Sequence, residues 1–266
     1  MSFGFTTPQS ALQLTAPLTQ GSQKKLTNRI KQIDKLRSDQ VIPLNGKLFF
    51  QAIGKFLSGL LLVGALLFLP AGTFAFWQAW LLLGILFVPM FFAGIVLMVK
   101  NPALLAKRLN AKEKEQTQKA VLVCSALMFL ASFVLAGLNF RFGWIVLPKW
   151  VSIAAAVVFA AAYILYAEVL RENVYLSRTV EVQQDQKVID TGLYGVVRHP
   201  MYMSTLFLFL SMPLVLGSVI SFGIMLLYIP IIASRIRNEE QVLEQGLDGY
   251  AAYKTRVRYK VIPFLW

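Results

Sequence analysis

The chain has 266 residues, of which 57% are hydrophobic and 15% charged, and Lys+Arg 26 stand against Asp+Glu 13 for a formal net charge of +13. A soluble domain carries about 25% charged and about 45–50% apolar residues. This composition, with a single cysteine (Cys124) and a mean hydropathy of +0.61, excludes a disordered chain, a disulfide scaffold and an ordinary soluble enzyme.

In chain order, Met1–Gln20 is rich in Thr, Gln, Ser and Pro and reads as a flexible tail. Across Lys24–Gln40, Leu26, Ile30, Ile33 and Leu36 recur at helical spacing among Lys24, Lys25, Arg29, Lys31, Lys35 and Arg37. That pattern predicts a basic amphipathic helix, lying either on an anionic leaflet or on the protein's own cytosolic face. The first long apolar run begins about 47 residues in, too far from the terminus for a signal peptide. A spanning helix needs about 20 apolar residues, and Leu48–Leu69, Phe74–Val99, Ala120–Phe140 and Trp150–Leu170 meet that length, with Lys55 near enough to a span end to snorkel. The alanines of Ala154–Ala162 suit close helix packing. Glu168, Arg171 and Glu172 read as an interfacial cluster. Met201–Ala233 carries no charge but is too long for one span, and Pro213 with Leu216-Gly217-Ser218 breaks it. That predicts a hairpin of two shorter spans.

The fold expected is therefore an all-α integral membrane protein with about six transmembrane helices. It divides into a cytosolic tail with the basic helix (1–47), a four-helix transmembrane region (48–170) and a C-terminal region (171–266) that holds the hairpin and a cytosolic segment. Alternating sides place 24 basic residues on one face and only Arg141 and Lys149 on the other. By the positive-inside rule both termini face the cytosol. All thirteen acidic residues fall on that side too, so any chemistry belongs to the cytosolic membrane surface. Topology accounts for the basic excess, and no nucleic-acid recognition motif accompanies it.

Two polar constellations stand out. The first is Asp190-Thr191-Gly192-Leu193-Tyr194-Gly195-Val196-Val197-Arg198-His199-Pro200-Met201-Tyr202, just before the hairpin. Its glycines permit sharp turns, Pro200 suits the first turn of a helix, and open amides at that helix start beside Arg198 and His199, the only histidine, favour an anion. The second is Arg235-Ile236-Arg237-Asn238-Glu239-Glu240 with Leu243, Tyr250 and Tyr253, placed after the hairpin. Arg235 and Glu239 have the spacing of a pair along one helix. Glu240 lies about 140° around from Arg235, so these two can serve separate sites on opposite flanks.

The order Gly-x-Tyr, Arg198-His199-Pro200-x-Tyr202, hydrophobic hairpin, Arg-x-x-x-Glu-Glu-x-x-Leu and spaced tyrosines resembles the isoprenylcysteine carboxyl methyltransferase family, over about Val180–Trp266. Tyr253-Lys254-x-Arg256-Val257 and Ile262-Pro263 are similar to that family's C-terminus. The chain departs from eukaryotic relatives in having only Glu239 and Glu240 after the arginine. Related phospholipid methyltransferases share the pattern, and membrane sterol reductases resemble it around Arg-His-Pro.

The resemblance implies an S-adenosylmethionine-dependent methyltransferase, with carboxyl methylation of an isoprenylcysteine-like acceptor entering from the bilayer as the expected reaction. It implies that Tyr194, His199, Pro200, Met201, Tyr202 and Glu240 contact the cofactor, with Val188 and Ile189 lining the same pocket, and that Arg235 meets the substrate as the catalytic residue. Glu240 would meet either the cofactor's ammonium or its adenine amino group. The expected setting is a multi-pass protein of a bacterial inner membrane or an ER-type membrane, among membrane lipids, with no nucleic acid partner and no metal. The competing readings are an NADPH-dependent reductase of the sterol-reductase type and a non-catalytic lipid-binding membrane protein.

Overall fold

The structure is a computed structural model that describes residues 46–102, 105–106, 109, 116–173, 175, 182–183 and 185–266. The expected tail, the basic amphipathic helix and Arg178 lie outside these residues. The elements are α1 (Gly46–Ala71), α2 (Trp77–Lys100), α3 (Gln116–Phe142), α4 (Lys149–Glu172), a 3-10 turn (Gly192–Gly195), α5 (Pro200–Val215), α6 (Val219–Met225), α7 (Tyr228–Gly246) and α8 (Tyr250–Arg256). The architecture is all-α among the described residues, as expected.

Five helical segments are long and apolar enough to cross a membrane: Gly46–Ala71, Trp77–Lys100, Val121–Phe142, Lys149–Glu172 and Val219–Gly246, with Pro200–Val215 as a shorter apolar helix. In hydrocarbon every backbone amide and carbonyl must be bonded internally, which a helix achieves within its own segment. Their outward faces are apolar as well: Leu61, Leu62, Phe92, Val99, Val157 and Ile164 are exposed. Lys55 donates to the carbonyl of Leu109.

The hairpin departs from expectation. Its first arm is short, 16 residues or about 24 Å at 1.5 Å per residue. The second runs 28 residues from Val219 to Gly246 and carries Arg235, Glu239 and Glu240 in its own final turns, not beyond them. A turn at Leu226–Leu227 divides that arm into α6 and α7. Pro230 has no N–H to return to the Leu226 carbonyl, and Ile229 N bonds that carbonyl at 3.1 Å in its place. At the hairpin tip Gly217 sits at φ +71, a left-handed conformation that glycine accepts without strain. Ser218 Oγ caps α6 by accepting from Ser221 N.

Three connections meet at one end of the bundle. Asn139 Nδ2 donates to the carbonyls of Ile145 (3.0 Å) and Gly217 (3.4 Å), and Gly72 lies beside the Arg141 guanidinium. The core joins α1–α5 through Leu67, Phe76, Leu82, Phe133, Phe159 and Leu216. Ala155, Ala156 and Ala162 are buried within it, as the alanine run predicts. At Gly137 an added Cβ would stand 2.6 Å from the Leu67 carbonyl, so α1 and α3 cross there at backbone distance. The polar C-terminal elements gather at the opposite end.

Candidate functional site

The 3-10 turn is clamped from three sides. Thr191 Oγ1 donates to Glu172 Oε1 at 2.7 Å, and Gly192, at φ +51, lies so close under that carboxylate that a Cβ would overlap it. Asn173 Nδ2 donates to the Tyr194 hydroxyl (2.9 Å), and Tyr253 donates to the Tyr194 carbonyl (2.8 Å). Glu172 thus holds the turn, while Glu168 pairs with Arg171 at 2.5 Å.

The C-terminal segment closes over the start of α5. Arg198 N and His199 N donate to the carbonyls of Tyr259 (2.9 Å) and Lys260 (2.8 Å). These two amides are therefore taken by the chain itself. Arg198 Nη1 also donates to the carbonyls of Val257 and Arg258.

Glu240 is the hub of this closure. Its carboxylate lies 2.8 Å from Arg198 Nε, 3.2 Å from His199 Nε2, 3.4 Å from Lys260 Nζ and 3.9 Å from Lys254 Nζ. Glu240 belongs to the inward face of α7 with Ile232 and Ile236. It is satisfied by the protein's own cations and does not line the neighbouring pocket.

That pocket is a cleft open to solvent, and the residues around it include Val188, Ile189, Tyr194, His199, Met201, Tyr202 and Arg235. These are seven of the residues expected at the site. Pro200 and Glu240 are not among its lining. The carboxylate that does line it is Glu239, which shares one face of α7 with Arg235, Val242 and Leu243. Arg235 and Glu240 do face different sides of α7, and the carboxylate that shares the pocket face with Arg235 is Glu239. Arg235 Nε donates to the Tyr202 hydroxyl (3.0 Å), and that hydroxyl donates to Glu239 Oε2.

Sequence reasoning also left Lys187, Arg198, Leu247, Tyr250 and Tyr253 out of the pocket lining. The spaced tyrosines were visible as a pattern, and only the fold turns them inward. Burial pushes the Tyr194 phenol up to about 12 and raises Tyr250 and Tyr253 as well, with the Glu240 carboxylate adding to the effect at Tyr250. All three are neutral hydrogen-bonding groups near pH 7. The Tyr250 hydroxyl is buried with no protein partner among the described residues, and a buried polar atom left unpaired is costly.

The site thus offers a carboxylate, cations, apolar and aromatic walls and an unpaired hydroxyl within one cleft, next to an arginine on a membrane helix. It combines an apolar enclosure with a few convergent polar groups, as small-molecule sites do. No metal-binding group of three His, Cys, Asp or Glu occurs among the described residues. The model of the isoprenylcysteine carboxyl methyltransferase family matches residues 150–245. That match begins at α4, earlier than the resembling segment, and ends before the C-terminal tyrosines. No curated protein matches the chain.

Proposed function

We propose, for a chain whose residues 150–245 match the model of the isoprenylcysteine carboxyl methyltransferase family, that it transfers a methyl group from S-adenosylmethionine to a lipophilic acceptor at the cytosolic face of the membrane. The observation that carries this reading is the juxtaposition in one pocket of Glu239, Tyr250 and Arg235. The polar groups fit the cofactor's chemistry. Glu239 is an anionic partner for an ammonium, and Arg198 and Lys187 are donors for a carboxylate. Val188, Ile189, Tyr194, Leu243 and Leu247 wall a space suited to a base and sugar, and the Tyr250 hydroxyl gains the partner it lacks.

When bound, S-adenosylmethionine supplies an electrophilic methyl group on a sulfonium. The acceptor we favour is a carboxylate of the isoprenylcysteine type, with its apolar tail among the membrane helices. Such a carboxyl titrates near 3.3–4.3 in water, so it is an ionised nucleophile near pH 7 and needs no general base. Arg235 holds its oxygen through a planar, permanently charged fork. The remaining work is positioning and exclusion of water, to which the closed C-terminal segment contributes.

Titration of the detergent-solubilised chain with S-adenosylhomocysteine tests this. Thermal stabilisation that rises with ligand concentration is the expected result. No stabilisation at millimolar ligand, together with stabilisation by NADPH, would replace the methyltransferase reading with the reductase one.

A further inference from the structure

We propose that Tyr202 is a positioning residue whose hydroxyl, set between Arg235 Nε and the Glu239 carboxylate, keeps those two charges turned toward separate ligands. This deepens the methyltransferase reading and rests on it. Arg235 and Glu239 stand four residues apart on α7, the spacing at which arginine and glutamate side chains attract along a helix. A guanidinium only donates and an ionised carboxylate only accepts, so the direction of both hydrogen bonds at the hydroxyl is fixed. It accepts from Arg235 at 3.0 Å and donates to Glu239 Oε2.

The phenol is a rigid prop. Tyr202 is 3% exposed and packs in a cluster with Leu206, Tyr228, Ile232 and Ile236, so its ring cannot swing aside. Glu239 Oε1, the other carboxylate oxygen, lies 3.9 Å from His199 Nδ1. The Tyr202 hydroxyl is therefore the hydrogen-bond donor that fixes this carboxylate in the pocket wall. Phenylalanine at 202 keeps the packing and deletes the brace. The guanidinium and the carboxylate then draw together, and Glu239 is withdrawn from the ammonium it serves.

The test is a double-mutant cycle on the full chain in detergent, reading S-adenosylhomocysteine affinity by calorimetry for wild type, Tyr202→Phe, Arg235→Gln and the double variant. Tyr202→Phe is expected to weaken binding about tenfold, and Arg235→Gln to leave it within about twofold. In the double variant the neighbouring guanidinium one helical turn away is gone, so Glu239 is no longer drawn along α7 and affinity returns to within about threefold of wild type. A fold defect caused by Tyr202→Phe would appear in both variants that carry it, whereas rescue by a second substitution in the pocket is a result that packing alone does not give. Equal weakening with and without Arg235, or no weakening at all, overturns the role of Tyr202. Failure of the wild-type chain to bind S-adenosylhomocysteine overturns the cofactor reading and this assignment with it.

Discussion

Replacing Glu240 by alanine strands the Arg198 guanidinium. Both residues are buried, at 5% and 6% exposure, and their 2.8 Å ion pair is the centre of a cluster that also faces His199, Lys260 and Lys254. Removing one partner of a buried pair costs about 3–5 kcal/mol, because the remaining charge stays out of water without compensation. For a chain of this size each kcal/mol moves the melting temperature by about 2–4 °C, so Glu240→Ala lowers Tm by about 6–20 °C. Glu240→Gln keeps an acceptor and lowers it less. The assay is thermal unfolding of the full chain in detergent, followed by tryptophan fluorescence. Glu239→Ala is the control: it removes a half-buried pocket carboxylate and should weaken S-adenosylhomocysteine binding while moving Tm by a few degrees at most. A Glu240→Ala protein that melts within about 2 °C of wild type yet no longer binds the ligand would refute the structural role and return Glu240 to the pocket.

Arg235→Ala should leave S-adenosylhomocysteine affinity within about twofold and abolish methyl transfer, and a large loss of affinity would count against its place on the acceptor side. Gly192→Ala forces a Cβ into the Glu172 carboxylate at a positive φ; at about 1–3 kcal/mol for such strain, it should lower both Tm and ligand affinity, and unchanged values would show that the turn is not rigidly held. Gly137→Ala pushes α3 off the Leu67 carbonyl and should cost about 1–3 kcal/mol in thermal unfolding without altering ligand affinity in the surviving fold. Reporters fused at Gly72 or Gly217 should lie outside and one at the C-terminus in the cytosol; a cytosolic signal at Gly72 would invert the topology.

The spans were legible because membrane insertion is governed by the length of apolar runs, a property of neighbours in sequence. Gly217 and Pro213 marked the hairpin tip for the same reason. The Glu239–Glu240 choice was not legible in that way. Both are carboxylates on one helical turn, and which one turns to the pocket depends on the face that packs inward, here set by Ile232 and Ile236 against Tyr202 and Met225. Nor could spacing reveal that the Tyr259 and Lys260 carbonyls fill the amides of Arg198 and His199, since that pairing spans about sixty residues and forms only in the folded chain. The early boundary of α5 was readable from Pro200. The turn at Leu226–Leu227 that divides the second arm was not, because it follows from the N–H that Pro230 lacks and from the Ile229 amide that takes the Leu226 carbonyl instead.

Methyl transfer is measured most directly by supplying methyl-labelled S-adenosylmethionine to the solubilised chain with a panel of lipophilic acceptors, beginning with a farnesylcysteine analogue. Acceptor-dependent transfer of label into the organic phase is the expected result, retained in Glu240→Gln where the fold survives and lost in Arg235→Ala. No transfer to any acceptor from a wild-type chain that binds no S-adenosylhomocysteine would contradict the methyltransferase reading.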